Sequence, residues 1–143
     1  MMYINGDNNN KFSLKEGCID KTPPVDIKKY IFNCPIYFAC YSNRWNGGFA
    51  FLDYENSGTC YGKIYKIKLN QFLDLLNQEQ RCILYDTILL VDYIDYIPVL
   101  TFTANHKLNN LLNNPSKEYI NVMINGLNEL YNNIDSNNYF KNN

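Results

Sequence analysis

Apolar and polar positions alternate with a period of two, or run together briefly, through the middle of the chain, and this predicts a β-rich centre. "CPIYFAC" (34–40) reads as a short buried strand. "GGFAFLD" (47–53) reads as a second, and "YENSG" (54–58) as a turn leading into "TCYGKIYKIKL" (59–69), which alternates like a half-buried strand. "ILYDTILLVDY" (83–93) and "IPVLTFTA" (97–104) are rich in isoleucine, valine, threonine and aromatics and predict two further strands joined by a turn near Tyr93–Tyr96.

Two segments change period. In "NQFLDLLNQEQ" (70–80), Phe72, Leu75 and Leu76 form one helical stripe, with Asn70, Gln71, Asp74, Asn77 and Gln78 largely off it and Asn70 as the expected N-cap. Glu79 follows Phe72 by seven residues, which at about 3.6 per turn returns to within roughly 20° of the same direction. A carboxylate is thus expected at the C-terminal end of the buried face, where the helix dipole disfavours negative charge. In "NPSKEYINVMINGLNELYNN", Asn114 as N-cap and Pro115 at the first position predict a second helix, with Tyr119, Ile120, Met123, Ile124, Leu127, Leu130 and Tyr131 on its apolar face.

Residues 1–30 lack periodicity, and "NGD", the Asn tract at 8–10, Gly17 and "TPP" are turn signals, so the N-terminal segment reads as a loop-rich arm. The expected organisation is an arm over 1–33, an α+β domain over 34–132 built as a small mixed β-barrel or sheet with flanking helices, and a polar tail over 133–143.

Composition narrows the function classes. The 143 residues suffice for one domain with a core. Thirteen basic against 14 acidic residues, with the lysines scattered, give no ground for a nucleic-acid partner. The N-terminus has no basic and apolar leader, and the longest apolar stretch is cut by Asp86, Asp92, Asp95 and Pro98, so neither a signal peptide nor a membrane span is expected. Five cysteines without a CxxC pair suit reduced, mostly buried thiols in the cytoplasm. A single histidine, His106, fits a surface or hydrogen-bonded structural residue better than a base, and a metal site is not expected there or at Asp92 and Asp95.

The block "YFACYSNRWNGGFAFLD…YGKIYKIKLNQFLDLLNQE" resembles the γ-glutamylcyclotransferase-like proteins: an aromatic strand, a tryptophan followed by a glycine pair, a strand of the form G-x-x-Y-x-I, and a helix ending in Gln-Glu. The tail "IPVLTFTANHKLNNLLNNPSKEYINVMINGLNEL" adds a Pro-Ser-x-x-Tyr helix start and a glycine within that helix. The resemblance runs from roughly Asn5 to Leu130. It implies a small mixed β-barrel, no cofactor or metal, and release of 5-oxoproline from a small γ-glutamyl amine or glutathione, with Glu79 as general acid/base. Tyr85 lines the pocket in that reading, beside the alternative of an ordinary strand tyrosine. Gly47 and Gly48 are expected chiefly to allow close backbone packing, with substrate contact as the alternative, and Trp45 to pack in the core or at its rim.

The chemistry suits a buried carboxyl. The substrate's α-amino group attacks its own γ-amide carbonyl, and one acid/base can take a proton from that nitrogen and return it to the leaving amine. Burial against Phe72, Leu75 and Leu76 would raise its pKa toward working pH. Beside this stands a plain alternative, in which Glu79 bends into solvent or pairs with Arg81. The family's Tyr-Gly-Ser-Asn loop has no counterpart ahead of "MMYINGD". "YFACYSN" (37–43) mimics its spelling but lacks the glycine and leads into Trp45. The resemblance therefore implies a chain starting downstream of that loop, with an exposed sheet edge open to self-association, and admits a catalytically silent member that binds a small ligand or a protein.

Overall fold

A computed structural model of the chain describes residues 17–80, 85–131 and 139–140, except for the side chains of Glu79 and Gln80. The described elements, in order, are β1 (Asp26–Phe32), β2 (Ile36–Ser42), β3 (Gly47–Leu52), β4 (Cys60–Lys66), α1 (Leu69–Gln80), β5 (Thr87–Ile94), β6 (Ile97–Thr103), a 3₁₀ turn (Asn109–Leu111) and α2 (Lys117–Leu130). The class is mixed α+β.

The strands pair as three two-stranded sheets, β1 with β4, β2 with β3 and β5 with β6. Among the described residues they do not close into a barrel or join into one sheet. Two of the three pairs are local antiparallel hairpins, which need only a short turn to form. The β5–β6 turn places Asp95 (φ 50°) and Tyr96 (φ 65°) in the left-handed region, as a two-residue primed hairpin turn requires. In the β2–β3 pair the register shifts between Ala39 and Ser42, where Cys40 takes φ 62°.

The fold divides into two compact units, one of Met1–Lys28 with Lys63–Asn105, the other of Lys29–Gly62 with His106–Asn143. In the first, Phe72 of α1 stacks its ring on that of Phe102 of β6, at 6.2 Å. In the second, Ile36, Phe38 and Cys60 form a buried cluster, covered by Phe32, Ala50, Leu52, Tyr119, Ile120 and Met123. Tyr119 ties α2 to β3: its hydroxyl accepts the Ala50 N–H at 3.1 Å, and its ring meets Phe38 edge-on and Trp45 at 5.4 Å. Trp45 is half-buried there, with the Arg44 guanidinium over its ring.

Three local expectations are corrected. β1 lies within the segment read as a loop-rich arm; its "DIKKYIF" has two lysines where alternation would show. The N-cap of α1 is Lys68 rather than Asn70. Its carbonyl accepts the Phe72 N–H, and its own N–H is satisfied by Gln71 Oε1 at 3.1 Å, half of a capping box. The N-cap of α2 is Ser116 rather than Asn114, its side chain accepting from the Tyr119 N–H at 3.2 Å. Among the described residues no helix is long and apolar enough to cross a membrane.

Candidate functional site

Glu79 lies in the last turn of α1, and Tyr85 is half-buried just ahead of β5; both belong to the first unit. The Glu79 side chain, its expected burial and its alternative pairing with Arg81 lie outside the described residues, as does Cys82. Gly47 and Gly48 belong to the second unit.

What is described around Glu79 is how its helix is held. Gln71 and Gln78, expected off the apolar stripe, are the most buried of the described side chains of α1, at 1 % and 7 % exposure. The reason for Gln71 is that the loop at 18–22 lies over that face and brings backbone carbonyls needing donors. Gln71 Nε2 donates to the carbonyls of Asp20 (3.0 Å) and Thr22 (2.8 Å), and the Gln71 backbone carbonyl accepts from the Cys18 thiol at 3.4 Å. The Asp20 carboxylate accepts from the Thr22 hydroxyl at 2.6 Å, the Thr22 N–H, Lys68 Nζ at 3.1 Å and Asn70 Nδ2. These donors, Thr22 first, hold its pKa well below the usual carboxylate range. One turn further along α1, Asp74 accepts the Ile19 N–H at 2.9 Å. The N-terminal half of the Glu79 helix is therefore fixed by side chains on both turns.

The glycine pair is packed against the chain's own backbone. A Cβ on Gly48 would stand 2.1 Å from the Asn113 carbonyl oxygen, and one on Gly47 2.7 Å from the Ser116 nitrogen. The Gly48 N–H donates to the Asn114 carbonyl at 2.9 Å, while the Asn113 N–H and side-chain amide donate to the carbonyls of Phe38 and Cys40. The segment leading into α2 is thus stitched to both strands of the hairpin beside its bulge. Only residues without a Cβ allow that approach.

The second unit also holds a charged pair with no signal in the sequence. Asp53, at the end of β3 with a side chain 1 % exposed, meets Lys107 Nζ at 3.0 Å and Asn56 Nδ2 at 2.9 Å. Lys107 also lies over the Tyr37 ring. Burial opposes the Asp53 charge, but the Asn56 and Lys107 donors prevail, and its pKa lies below the ordinary value. Burial raises the pKa of Tyr37, whose hydroxyl accepts the Leu108 N–H. His106 is exposed and meets Glu55 at 3.1 Å, the surface hydrogen-bonded role expected of it.

Cys18 and Cys60 are buried, and burial pushes Cys60 up to about 11, which makes it a poor nucleophile. Among the described residues no group of three or more His, Cys, Asp or Glu side chains could hold a metal ion. No family model, curated protein or solved structure matches the chain.

Proposed function

We propose that the chain is a γ-glutamylcyclotransferase-like protein of the cytoplasm that cyclises a small γ-glutamyl amine to 5-oxoproline and releases the amine. The observation that supports this reading is the position of Glu79, in the last turn of an amphipathic helix whose opposite end is fixed by the Gln71 and Asp20 contacts. The order of motifs around it, from Trp45 and the glycine pair to the Pro115-Ser116 helix start, supports it too.

The reaction asks little beyond one carboxyl and a folded substrate. The α-amino nitrogen bonds to the γ-carbonyl carbon and the C–N bond to the amine breaks. Glu79 takes a proton from the attacking nitrogen and delivers it to the leaving one. Ring closure is intramolecular, so holding the bent conformer supplies much of the acceleration. Tyr85 lines the site, and no cofactor or metal takes part. The test is 5-oxoproline release from a panel of γ-glutamyl amines by wild type and Glu79→Gln. Release by the wild type that falls at least about a hundredfold in the variant is the expected result. A folded wild type that releases none from any amine, glutathione included, refutes the enzyme reading.

One observation favours a second reading, a catalytically silent member that binds a small ligand or a protein. The space beside Gly47 and Gly48, a candidate substrate contact, is filled by the backbone of residues 113–116. Self-association through a sheet edge fits either reading, because Ile88, Leu90 and Leu100 on the β5–β6 hairpin are each at least a third exposed. Sedimentation of the purified chain tests it, and a monomer at high concentration rules it out.

A further inference from the structure

The sequence contains three Asn-Gly steps, Asn5–Gly6, Asn46–Gly47 and Asn125–Gly126, of which the last two lie among the described residues. Both described asparagines are exposed, so solvent does not distinguish them. Their backbones do. Asn125 and Gly126 sit inside α2, where the backbone is held by the helical ladder on either side. Asn46 is the last residue of the β2–β3 turn, in the left-handed conformation (φ 55°). Beyond it the pairing of Gly47 with Ser42 stands alone, cut off by the register shift from the next pair at Ala39. Opening that one pair leaves the ladder from Ile36 to Ala39 undisturbed, and the Gly47 amide is freed when its contact with the 113–116 segment yields as well.

We propose that Asn46–Gly47 is a site of spontaneous covalent modification, at which the asparagine cyclises onto the following backbone and is converted to aspartate and isoaspartate. The Gly47 nitrogen bonds to Asn46 Cγ, and the Cγ–Nδ2 bond breaks. The amide hydrogen of Gly47 leaves with the side-chain nitrogen as ammonia. Water then adds to one of the two imide carbonyls, reopening the ring as aspartate or, through the other carbonyl, as a β-linked backbone.

Two features favour closure here. Glycine has no Cβ to obstruct the approach of its nitrogen. The Tyr41 hydroxyl donates to Asn46 Oδ1 at 3.3 Å, on the carbonyl that must take up charge as the nitrogen attacks. The attack is intramolecular and gains from proximity as any such ring closure does.

The product matters because of what Gly47 touches. A β-linkage adds one methylene to the backbone immediately before a residue that has no spare room against Ser116, and next to the Gly48–Asn114 hydrogen bond. Conversion therefore loosens the attachment of the 113–116 segment to the hairpin.

The experiment is to age the purified full chain in neutral to mildly basic buffer, digest it, and follow each Asn-Gly peptide by mass and by separation of the aspartate and isoaspartate forms. In the folded chain the Asn46 peptide converts and splits into two isomers while the Asn125 peptide keeps its amide. In denaturant both convert. Tyr41→Phe slows Asn46 several-fold in the folded chain and leaves the denatured rate unchanged, and Asn46→Gln abolishes the product. An Asn46 amide that survives in the folded chain after the denatured chain has converted fully overturns the proposal. So does conversion of Asn125 at the same rate as Asn46, and an unchanged folded rate in Tyr41→Phe removes the hydroxyl from it.

Discussion

The side-chain amide of Gln71 donates to the backbone carbonyl of Asp20 at 3.0 Å, so a buried glutamine on α1 closes the loop that crosses the face of the Glu79 helix. Its second N–H goes to the Thr22 carbonyl and its oxygen to the Lys68 N–H. Every hydrogen-bonding atom of the amide has a backbone partner.

Replacing Gln71 by leucine leaves two carbonyls and one N–H without their partner. A loss of about 2–3 kcal/mol is expected, read as a lower denaturant midpoint at unchanged slope. Gln71→Glu separates shape from donors. Its carboxylate would face the Asp20 and Thr22 carbonyls with no hydrogen to give, and its pKa rises in the folded state. The variant is therefore weakest above that raised pKa and regains stability as pH falls through it. A Gln71→Leu chain as stable as wild type would falsify the clamp.

Legibility in the sequence followed how local each cause is. The β2, β3, β5 and β6 strands and both helices were readable because β-branched and aromatic density, or a 3.6-residue period, is written within the element itself. β1 was not, because Lys28 and Lys29 occupy its centre and its pairing with β4 bridges a gap of about thirty residues. Both N-caps were misplaced for a related reason: Gln71 and Ser116 make their capping bonds with particular neighbours, and composition favours the nearer asparagine. Gln71 read as a solvent-facing residue because nothing in 70–80 announces a loop arriving from 18–22. Of the candidate site, the placement of Glu79 at the end of a helix was legible, and so was the packing role of Gly47 and Gly48. The Asp53–Lys107 pair, joined across 54 positions (107 − 53), was not.

Gly48 and Gly126, both among the described residues, stand in opposite surroundings. A Cβ on Gly48 collides with the Asn113 carbonyl, and the neighbouring backbone is held on both sides by hydrogen bonds, so it has little room to yield. Gly48→Ala should cost about 3 kcal/mol or more. Gly126 lies within α2 with nothing within 4 Å of its missing Cβ, so Gly126→Ala should raise stability by about 0.5–1 kcal/mol. Thermal unfolding of the two variants side by side checks both signs, and a neutral Gly48→Ala would mean that the 113–116 segment does not seat against β3.

Asp53 ties stability to pH in a direction its surroundings determine. Its folded pKa lies below the unfolded value of about 3.9, because Asn56 and Lys107 donate to it more strongly than burial opposes its charge. A depressed carboxyl stabilises the fold at pH above the unfolded pKa, and that contribution is lost as pH falls through the folded pKa. Lys107→Met leaves the carboxylate buried without its cation. Complete burial of both partners would make this cost about 3–5 kcal/mol; because the lysine is 30 % exposed, about 2–3 kcal/mol is expected at neutral pH. Without the lysine the Asp53 pKa rises, so the deficit of the variant shrinks as the carboxyl is protonated. Denaturant unfolding of wild type and Lys107→Met from about pH 3 to pH 7 measures this, since the two curves must converge toward acid. Curves that stay parallel across that range would show that the stability contributed by Lys107 comes from its packing over Tyr37 rather than from the charge of Asp53.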